Sequence, residues 1–348
     1  MRISKGISAG GVRIGGGAAV TVQSMTNTPT QDAEATAAQI LRLEAAGCDI
    51  VRVAVPDMQA AHAIGKIKEK IHIPLVADIH YDYRLAIESA AAGADKIRIN
   101  PGNIGAQERV KAVADECRMR SIPIRIGVNG GSLEKEILAR YGGVTAQGMV
   151  DSALGHAALL NRYDFDYICL SLKSSDVKTT VEANRLAAEQ TNYPLHLGIT
   201  EAGTSYMGIM RSAAGIGALL LDGIGDTIRV SLTADPVEEA RAGVALLHAV
   251  GVRTDGVRII SCPSCGRCGI DLISTAKEVE ERLAACEKNI TVAVMGCSVN
   301  GPGEAAGADY GIAGGKGSGL LFRKGEIVGR VSDDKMIDAL IDLIEKDR

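Results

Sequence analysis

Residues 49–100 read DIVRVAVPDMQAAHAIGKIKEKIHIPLVADIHYDYRLAIESAAAGADKIRIN, and the rhythm of this stretch decides the fold. Three β-rich runs, Asp49–Val55, Ile73–His80 and Lys96–Asn100, alternate with two stretches, Met58–Lys70 and Arg84–Ala92, whose apolar residues recur at helical spacing. The runs are apolar on both faces in the middle and polar at their last residues, as buried parallel strands are. Working outward, the same pulse gives Val20–Met25 before this stretch and Ile122–Asn129, Tyr167–Lys173, Pro194–Thr200 and Thr227–Leu232 after it. Helical patterns continue over Ala33–Ala46, Val177–Glu189 and Val237–Val250. Most steps are about 25 to 30 residues, the size of one strand, loop and helix. The longer step over residues 130–165 holds an extra helix around Leu133–Tyr141. Eight βα units within residues 1–250 predict an α/β chain whose first domain is a TIM (β/α)8 barrel. An open doubly wound sheet is the alternative, disfavoured because eight evenly spaced units close more naturally.

At the N-terminus a short hairpin is expected over Val12–Val20, and no helix follows Gly15-Gly-Gly17 at the spacing that dinucleotide binding requires. Beyond Val250 the pattern changes. A polar connection over 251–256 leads to a strand Val257–Ser261, a helix Leu272–Cys286, a strand Thr291–Met295, a Gly-rich segment Gly301–Gly319, a hairpin at Lys324-Gly325 and a closing helix Asp334–Lys346. This predicts a smaller α+β domain over 257–348.

Composition narrows the function. A net charge of −4 offers no basic field to nucleic acid, and the absence of Trp with only two Phe argues against base-stacking platforms. The N-terminus lacks an apolar signal region, and no run of about 18 apolar residues occurs, so a cytoplasmic protein with no membrane segment is expected. In a reducing compartment, clustered cysteines point to metal or catalysis before disulfides.

Such a cluster opens the second domain: Cys262-Pro-Ser-Cys265-Gly-Arg-Cys268, then Gly296-Cys-Ser-Val-Asn-Gly-Pro-Gly-Glu304. Two ligand sets are open. Cys262, Cys265, Cys268 and Cys297 would suit zinc or an ordinary iron–sulfur cluster, whereas three cysteines with Glu304 would leave one exchangeable, catalytic position. Cys48, Cys117, Cys169 and Cys286, each alone in an apolar pattern, read as buried small residues.

The barrel strand ends carry the other signal, since active sites of this fold lie there. Arg52, Arg98, Arg125, Lys173 and Arg229 recur on separate strands, with few acids beside them in sequence. Cations inside buried strands are costly when unpaired, so a phosphate or diphosphate ligand is the expected anion. Glu201, one step past a strand end, is placed like a general acid or base. His80 reads either as part of this mouth or as a core histidine, and His196 as packing. Gly311–Gly319 lacks the spacing of a P-loop.

Taken together, Val22-Gln-Ser-Met-Thr-Asn-Thr28, Arg98-Ile-Asn-Pro-Gly-Asn103, Arg125-Ile-Gly-Val-Asn129, Ser171-Leu-Lys-Ser174, Gly198-Ile-Thr-Glu-Ala-Gly203 and the two cysteine segments resemble the 4-hydroxy-3-methylbut-2-enyl diphosphate synthase family. The likeness covers nearly the whole chain, in the short bacterial form. It implies a barrel joined to a reductase-like domain, and a [4Fe–4S] cluster held by Cys262, Cys265, Cys297 and Glu304. It further implies 2-C-methyl-D-erythritol 2,4-cyclodiphosphate as substrate and flavodoxin or ferredoxin as electron donor. Position by position, Arg52, Arg98, Arg125, Asn129, Lys173, Arg229 and Ser231 match residues that hold the cyclic diphosphate, and Glu201 matches a catalytic acid. Cys268 departs from the family pattern.

Chain direction adds an expectation about assembly. The last barrel helix returns to the N-terminal face, and the connection 251–256 spans at most roughly 20 Å at about 3.3 Å per residue. That is too short to lay the cysteines over the same barrel's mouth, so a head-to-tail homodimer with composite sites is expected.

Overall fold

The computed structural model describes residues 2–284, 286, 288–298, 303 and 305–347. The chain divides into two compact units, Met1–Arg253 and Thr254–Arg348.

The first unit opens with a hairpin, β1 Ile7–Ala9 and β2 Val12–Ile14, and continues with eight parallel strands. These are β3 Thr21–Met25, β4 Ile50–Ala54, β5 Leu75–Asp78, β6 Lys96–Ile99, β7 Ile124–Asn129, β8 Ile168–Lys173, β9 His196–Leu197 and β10 Thr227–Ile228. Their order around the sheet is β8-β7-β6-β5-β4-β3-β10-β9, and a parallel bridge between Leu170 and Leu195 joins the two ends. The ring therefore closes, which removes the open doubly wound alternative. The connecting helices are α1 Ala33–Ala45, α2 Met58–Lys68, α3 Tyr83–Ala91, the short α4 Pro101–Ile104, α5 Gln107–Met119, α6 Lys135–Tyr141, α7 Ala146–Asn161, α8 Val177–Gln190, α9 Ser205–Leu221 and α10 Pro236–Ala249.

Local chemistry starts these helices. Asp32, Asp57, Asp82, Asp176 and Asp235 each stand at an N-cap and accept from a backbone N–H of the first turn, which satisfies one of the donors a helix start leaves open. Helix faces such as Ile40, Leu43, Ile64 and Ile67 pack on the outward strand residues Val51 and Val53 to form the main core.

The barrel interior is divided along its axis. At the N-terminal end Ile7, Ala9 and Ile14 of the hairpin pack with Ile50, Val76 and Cys169, so the floor is dry and plugged. The hairpin sits earlier than the expected Val12–Val20. Its two-residue turn falls on Gly10 and Gly11, with φ of 52° and 88°, the left-handed pair that matches strand twist. Regular pairing in β9 and β10 stops at Leu197 and Ile228, short of the expected Thr200 and Leu232.

The second unit is a five-stranded sheet in the order β11 Val257–Ser261, β12 Ile290–Met295, β13 Tyr310–Ala313, β14 Ser318–Arg323 and β15 Glu326–Ser332. The first three strands are parallel and the last two antiparallel. Helices α11 Leu272–Leu283 and α12 Met336–Lys346 contribute Val279, Leu283, Leu340 and Ile344 to a core with Val292, Val294 and Ile312. The Gly-rich segment expected over Gly301–Gly319 contains a strand, β13, whose Tyr-Gly-Ile-Ala is too short and too Gly-flanked to read as one. Lys324 and Gly325, at φ of 48° and 81°, form the expected hairpin turn. Among the described residues no helix is long and apolar enough to cross a membrane.

Candidate functional site

Above the plugged floor the inward side chains turn polar. Alternation along each strand points Arg52, Asp78, Arg98, Arg125, Gly127, Asn129, Ser171, Lys173, Arg229 and Ser231 into the ring, and with His80 and Thr200 they line a cavity of about 150 Å³. The seven residues expected to hold an anion, Arg52, Arg98, Arg125, Asn129, Lys173, Arg229 and Ser231, thus share one chamber at the C-terminal end of the strands. Register explains the convergence: Arg98 lies beside Arg125, and Asn129 beside Lys173.

Two carboxylates partly balance these cations. Arg98 Nη1 donates to Asp78 Oδ1 at 3.0 Å, and Arg52 Nε lies 3.6 Å from Asp78 Oδ2. Arg229 reaches Glu239 at 3.2 Å, and Glu239 also accepts from Ser24 Oγ and the Leu232 N–H. Glu239 was illegible as a partner because it comes from α10, where a Glu beside Glu238 reads as a solvated helix face. The Met25 thioether accepts weakly from Arg52, with Nη2 at 2.8 Å.

Charge remains in excess. Arg125 is 2% exposed, and its Nε and Nη2, like Nε of Arg98, have no hydrogen-bond partner among the described residues. Burial, reinforced by the neighbouring Arg98, lowers the Arg125 guanidinium to about 10. Burial among Arg125, Arg229, Arg52 and Arg98 holds the Lys173 ammonium well below its ordinary range. Beneath the cavity, Lys96 is fully buried with Nζ unpaired, and burial lowers it to about 8. His196, also fully buried with both ring nitrogens unpaired, is held neutral by burial and the surrounding cations. Leaving such cations without a counter-charge is expensive, which makes the chamber a candidate anion site.

Asp78 ties this cluster to stability. Burial alone would raise its carboxyl, but Arg52 and Arg98, with His80 and Arg125 behind them, outweigh burial and hold it at about 2. A depressed carboxyl adds stability that is complete above its unfolded value near 4 and fades as pH falls toward 2. Asp78→Asn should therefore cost on the order of 2 kcal/mol at pH 7, with the difference from the parent shrinking below pH 4 in urea titrations. Equal loss at every pH would remove this electrostatic account.

Glu201 does not line the cavity. The wall ends at Thr200, and the next residue is exposed with φ of 53°, a left-handed backbone that residues other than glycine seldom adopt. Such strain concentrates at functional loops.

In the second unit the thiols gather at one sheet end. Cys262 follows β11 directly, Cys297 lies two residues past the parallel neighbour β12, and the Cys262 Sγ accepts from the Gly296 N–H at 3.2 Å. The intervening loop folds back onto that end, with Cys268 N–H on the Cys265 carbonyl at 2.9 Å and Gly269 N–H on the Gly296 carbonyl at 2.8 Å. Cys265 is exposed, and Cys262, Cys268 and Cys297 are half-buried. Among the described residues no three His, Cys, Asp or Glu side chains stand at metal-binding spacing, and Glu304 lies outside the described residues. The donor chemistry nonetheless suits a soft-metal group, because Cys262 and Cys297 stand just past two hydrogen-bonded strands and the exposed Cys265 lies in the loop after the first. By contrast Cys48, Cys117 and Cys169 are buried, and burial pushes Cys48 up to about 12 and Cys169 up to about 11, as inert core thiols.

Comparison with known proteins agrees with this division. Residues 4–244 match the GcpE TIM-barrel domain, and residues 258–346 match the GcpE protein C-terminal domain. The chain is 58% identical over 97% of its length to the 4-hydroxy-3-methylbut-2-en-1-yl diphosphate synthase (flavodoxin) of Clostridium perfringens, of which 97% is covered. It is likewise 58% identical over 98% of its length to the protein of the same name from Geobacter sulfurreducens, of which 96% is covered. Among solved structures, the N-acetylneuraminic acid synthetase of Leptospira borgpetersenii superposes with a TM-score of 0.52 at 12% identity, over 82% of this chain and 99% of that one. That likeness speaks for the barrel fold alone.

Proposed function

The chain belongs to the GcpE family, and from that premise we propose that it opens and dehydrates 2-C-methyl-D-erythritol 2,4-cyclodiphosphate reductively, giving 4-hydroxy-3-methylbut-2-enyl diphosphate. The observation that carries this reading is the chamber in which Arg125 and Lys173 remain without a carboxylate partner among the described residues. A diphosphate supplies the missing charge, and guanidinium forks bind its oxygens through paired, charge-assisted bonds.

Arg98, Arg125 and Lys173 hold the diphosphate, while Arg52 and Arg229, anchored by Asp78 and Glu239, fix its orientation. Asn129 and Ser231 supply neutral hydrogen bonds. Burial of Arg125 and Lys173 in the chamber wall lowers the local dielectric, which strengthens each of these contacts. Glu201, at the rim, is the residue we assign to proton delivery. Cys262, Cys265 and Cys297 together with Glu304 would hold a [4Fe–4S] cluster. Bound there, the cluster would supply the two electrons that the ring opening consumes, received from flavodoxin, the donor named in the relatives, or a ferredoxin. The active form is a head-to-tail homodimer.

Binding should change protonation. An arriving dianion raises the lowered Lys173, and the Lys96 ammonium held at about 8 beneath the chamber, toward their ordinary values, so complex formation takes up protons on the alkaline side of neutrality. Calorimetry of cyclic diphosphate binding at pH 8, in buffers of different ionisation enthalpy, should show that uptake, and Lys173→Met should diminish it. Absence of binding by the parent chain would defeat the assignment of the chamber. Binding with proton release would defeat its electrostatics.

A further inference from the structure

Along β7 the inward positions are Arg125, Gly127 and Asn129, so a residue with no side chain stands between two proposed ligands of the anion. The space above Gly127 is taken by Arg98 from the neighbouring strand. A Cβ at position 127 would lie 2.7 Å from Arg98 Nε and 2.9 Å from Nη2, closer than real Cβ contacts allow, and a tight 3.2 Å from Cζ. These are the three nearest atoms, and all belong to the end of a long side chain.

Arg98 is thus fixed from two sides. Its Nη1 donates to Asp78 at 3.0 Å, and its Nε and Nη2 occupy the space that a side chain at 127 would need. Its Nε is buried in the wall of the chamber, without a hydrogen-bond partner among the described residues.

We propose that Gly127 is a positioning residue for substrate binding: the missing side chain lets the Arg98 guanidinium lie against β7, set for the diphosphate before it arrives. This rests on reading the chamber as the diphosphate site. A methyl group at 127 displaces the guanidinium into a cavity of about 150 Å³ or off Asp78, while the barrel backbone stays in place. Preorganised donors act because they do not reorganise on binding, and a displaced one must. Gly198 differs. There a Cβ would meet not only Lys173 Nζ but also the Arg229 carbonyl oxygen at 2.7 Å, so a substitution would disturb backbone and ammonium together. Gly127 is the position where placement and folding separate.

The test is a double-mutant cycle on full-length protein, read as the equilibrium affinity for the cyclic diphosphate together with thermal unfolding. Gly127→Ala should unfold at close to the parent temperature and bind roughly tenfold to a hundredfold more weakly, the scale of one charge-assisted bond. Arg98→Ala should lose a similar factor. The double variant should bind no worse than Arg98→Ala alone, within about twofold, because the glycine acts through the arginine. Parent-like affinity of Gly127→Ala, multiplied losses in the double variant, or a Gly127→Ala chain that does not fold would each overturn the proposal. A parent chain that binds no cyclic diphosphate would instead bring down the functional reading, and this inference with it.

Discussion

Serine in place of Cys297 should abolish turnover and remove the brown colour of anaerobically purified protein, and Cys262→Ser and Cys265→Ser should do the same. A serine hydroxyl is hard and stays protonated near neutrality, so it cannot replace a thiolate toward a soft metal group. Cys262 and Cys297 stand just past the ends of β11 and β12, where the Gly296 N–H already donates to the Cys262 sulfur, and Cys265 follows in the adjoining loop. Cys268 is predicted to behave differently. It is the thiol that departs from the family pattern, so Cys268→Ser should leave iron content and activity nearly intact. Glu304→Ala should lower activity by orders of magnitude, because a carboxylate among thiolates provides the one exchangeable position. If Cys268→Ser bleaches the protein and Glu304→Ala leaves it active, four cysteines form the ligand set and Glu304 has no part in it.

The second large effect is a gain. Arg98→Ala and Cys297→Ser subunits, each inactive alone, should recover activity when mixed and allowed to exchange. The chain leaves the barrel at the N-terminal face, where Arg253 pairs at 3.1 Å with Asp49, the residue before β4. The connection over 251–256 reaches at most roughly 20 Å, whereas a barrel with helices of some 14 residues and their loops is about 30 Å tall. A cation chamber and a thiol rim that serve one small substrate are then best supplied by two subunits arranged head to tail. Some mixed dimers would regain one complete site. No recovery after proven exchange, or a monomer fully active at high dilution, would end the composite-site proposal.

Much of this was legible in the sequence because strand burial and strand-end chemistry leave separate marks. Runs such as Leu75-Val-Ala-Asp78 are apolar until the residue that enters the chamber, so one pattern reported both the barrel and its mouth. The cations were visible for the same reason: Arg125 and Lys173 are anomalous in buried strands. What escaped notice lacks a chemical signature or arrives from elsewhere in the fold. Gly127 and Ser171 line the chamber as small residues, and Glu239 comes from a helix. Strand β13 is hidden by its glycine, and β9 and β10 are shorter than their apolar runs because regular pairing ends just below the chamber. Lys96 read as a strand start, yet it lies fully buried beneath Arg125 with no partner for its ammonium.

The most direct test is turnover. The chain should be reconstituted anaerobically with iron and sulfide, then supplied with the cyclic diphosphate and either dithionite or reduced flavodoxin. A brown protein that forms 4-hydroxy-3-methylbut-2-enyl diphosphate, and loses that activity on Cys297→Ser, is the predicted result. A brown, correctly folded protein that binds the cyclic diphosphate but never converts it, or a colourless protein that converts it at full rate, would contradict the account.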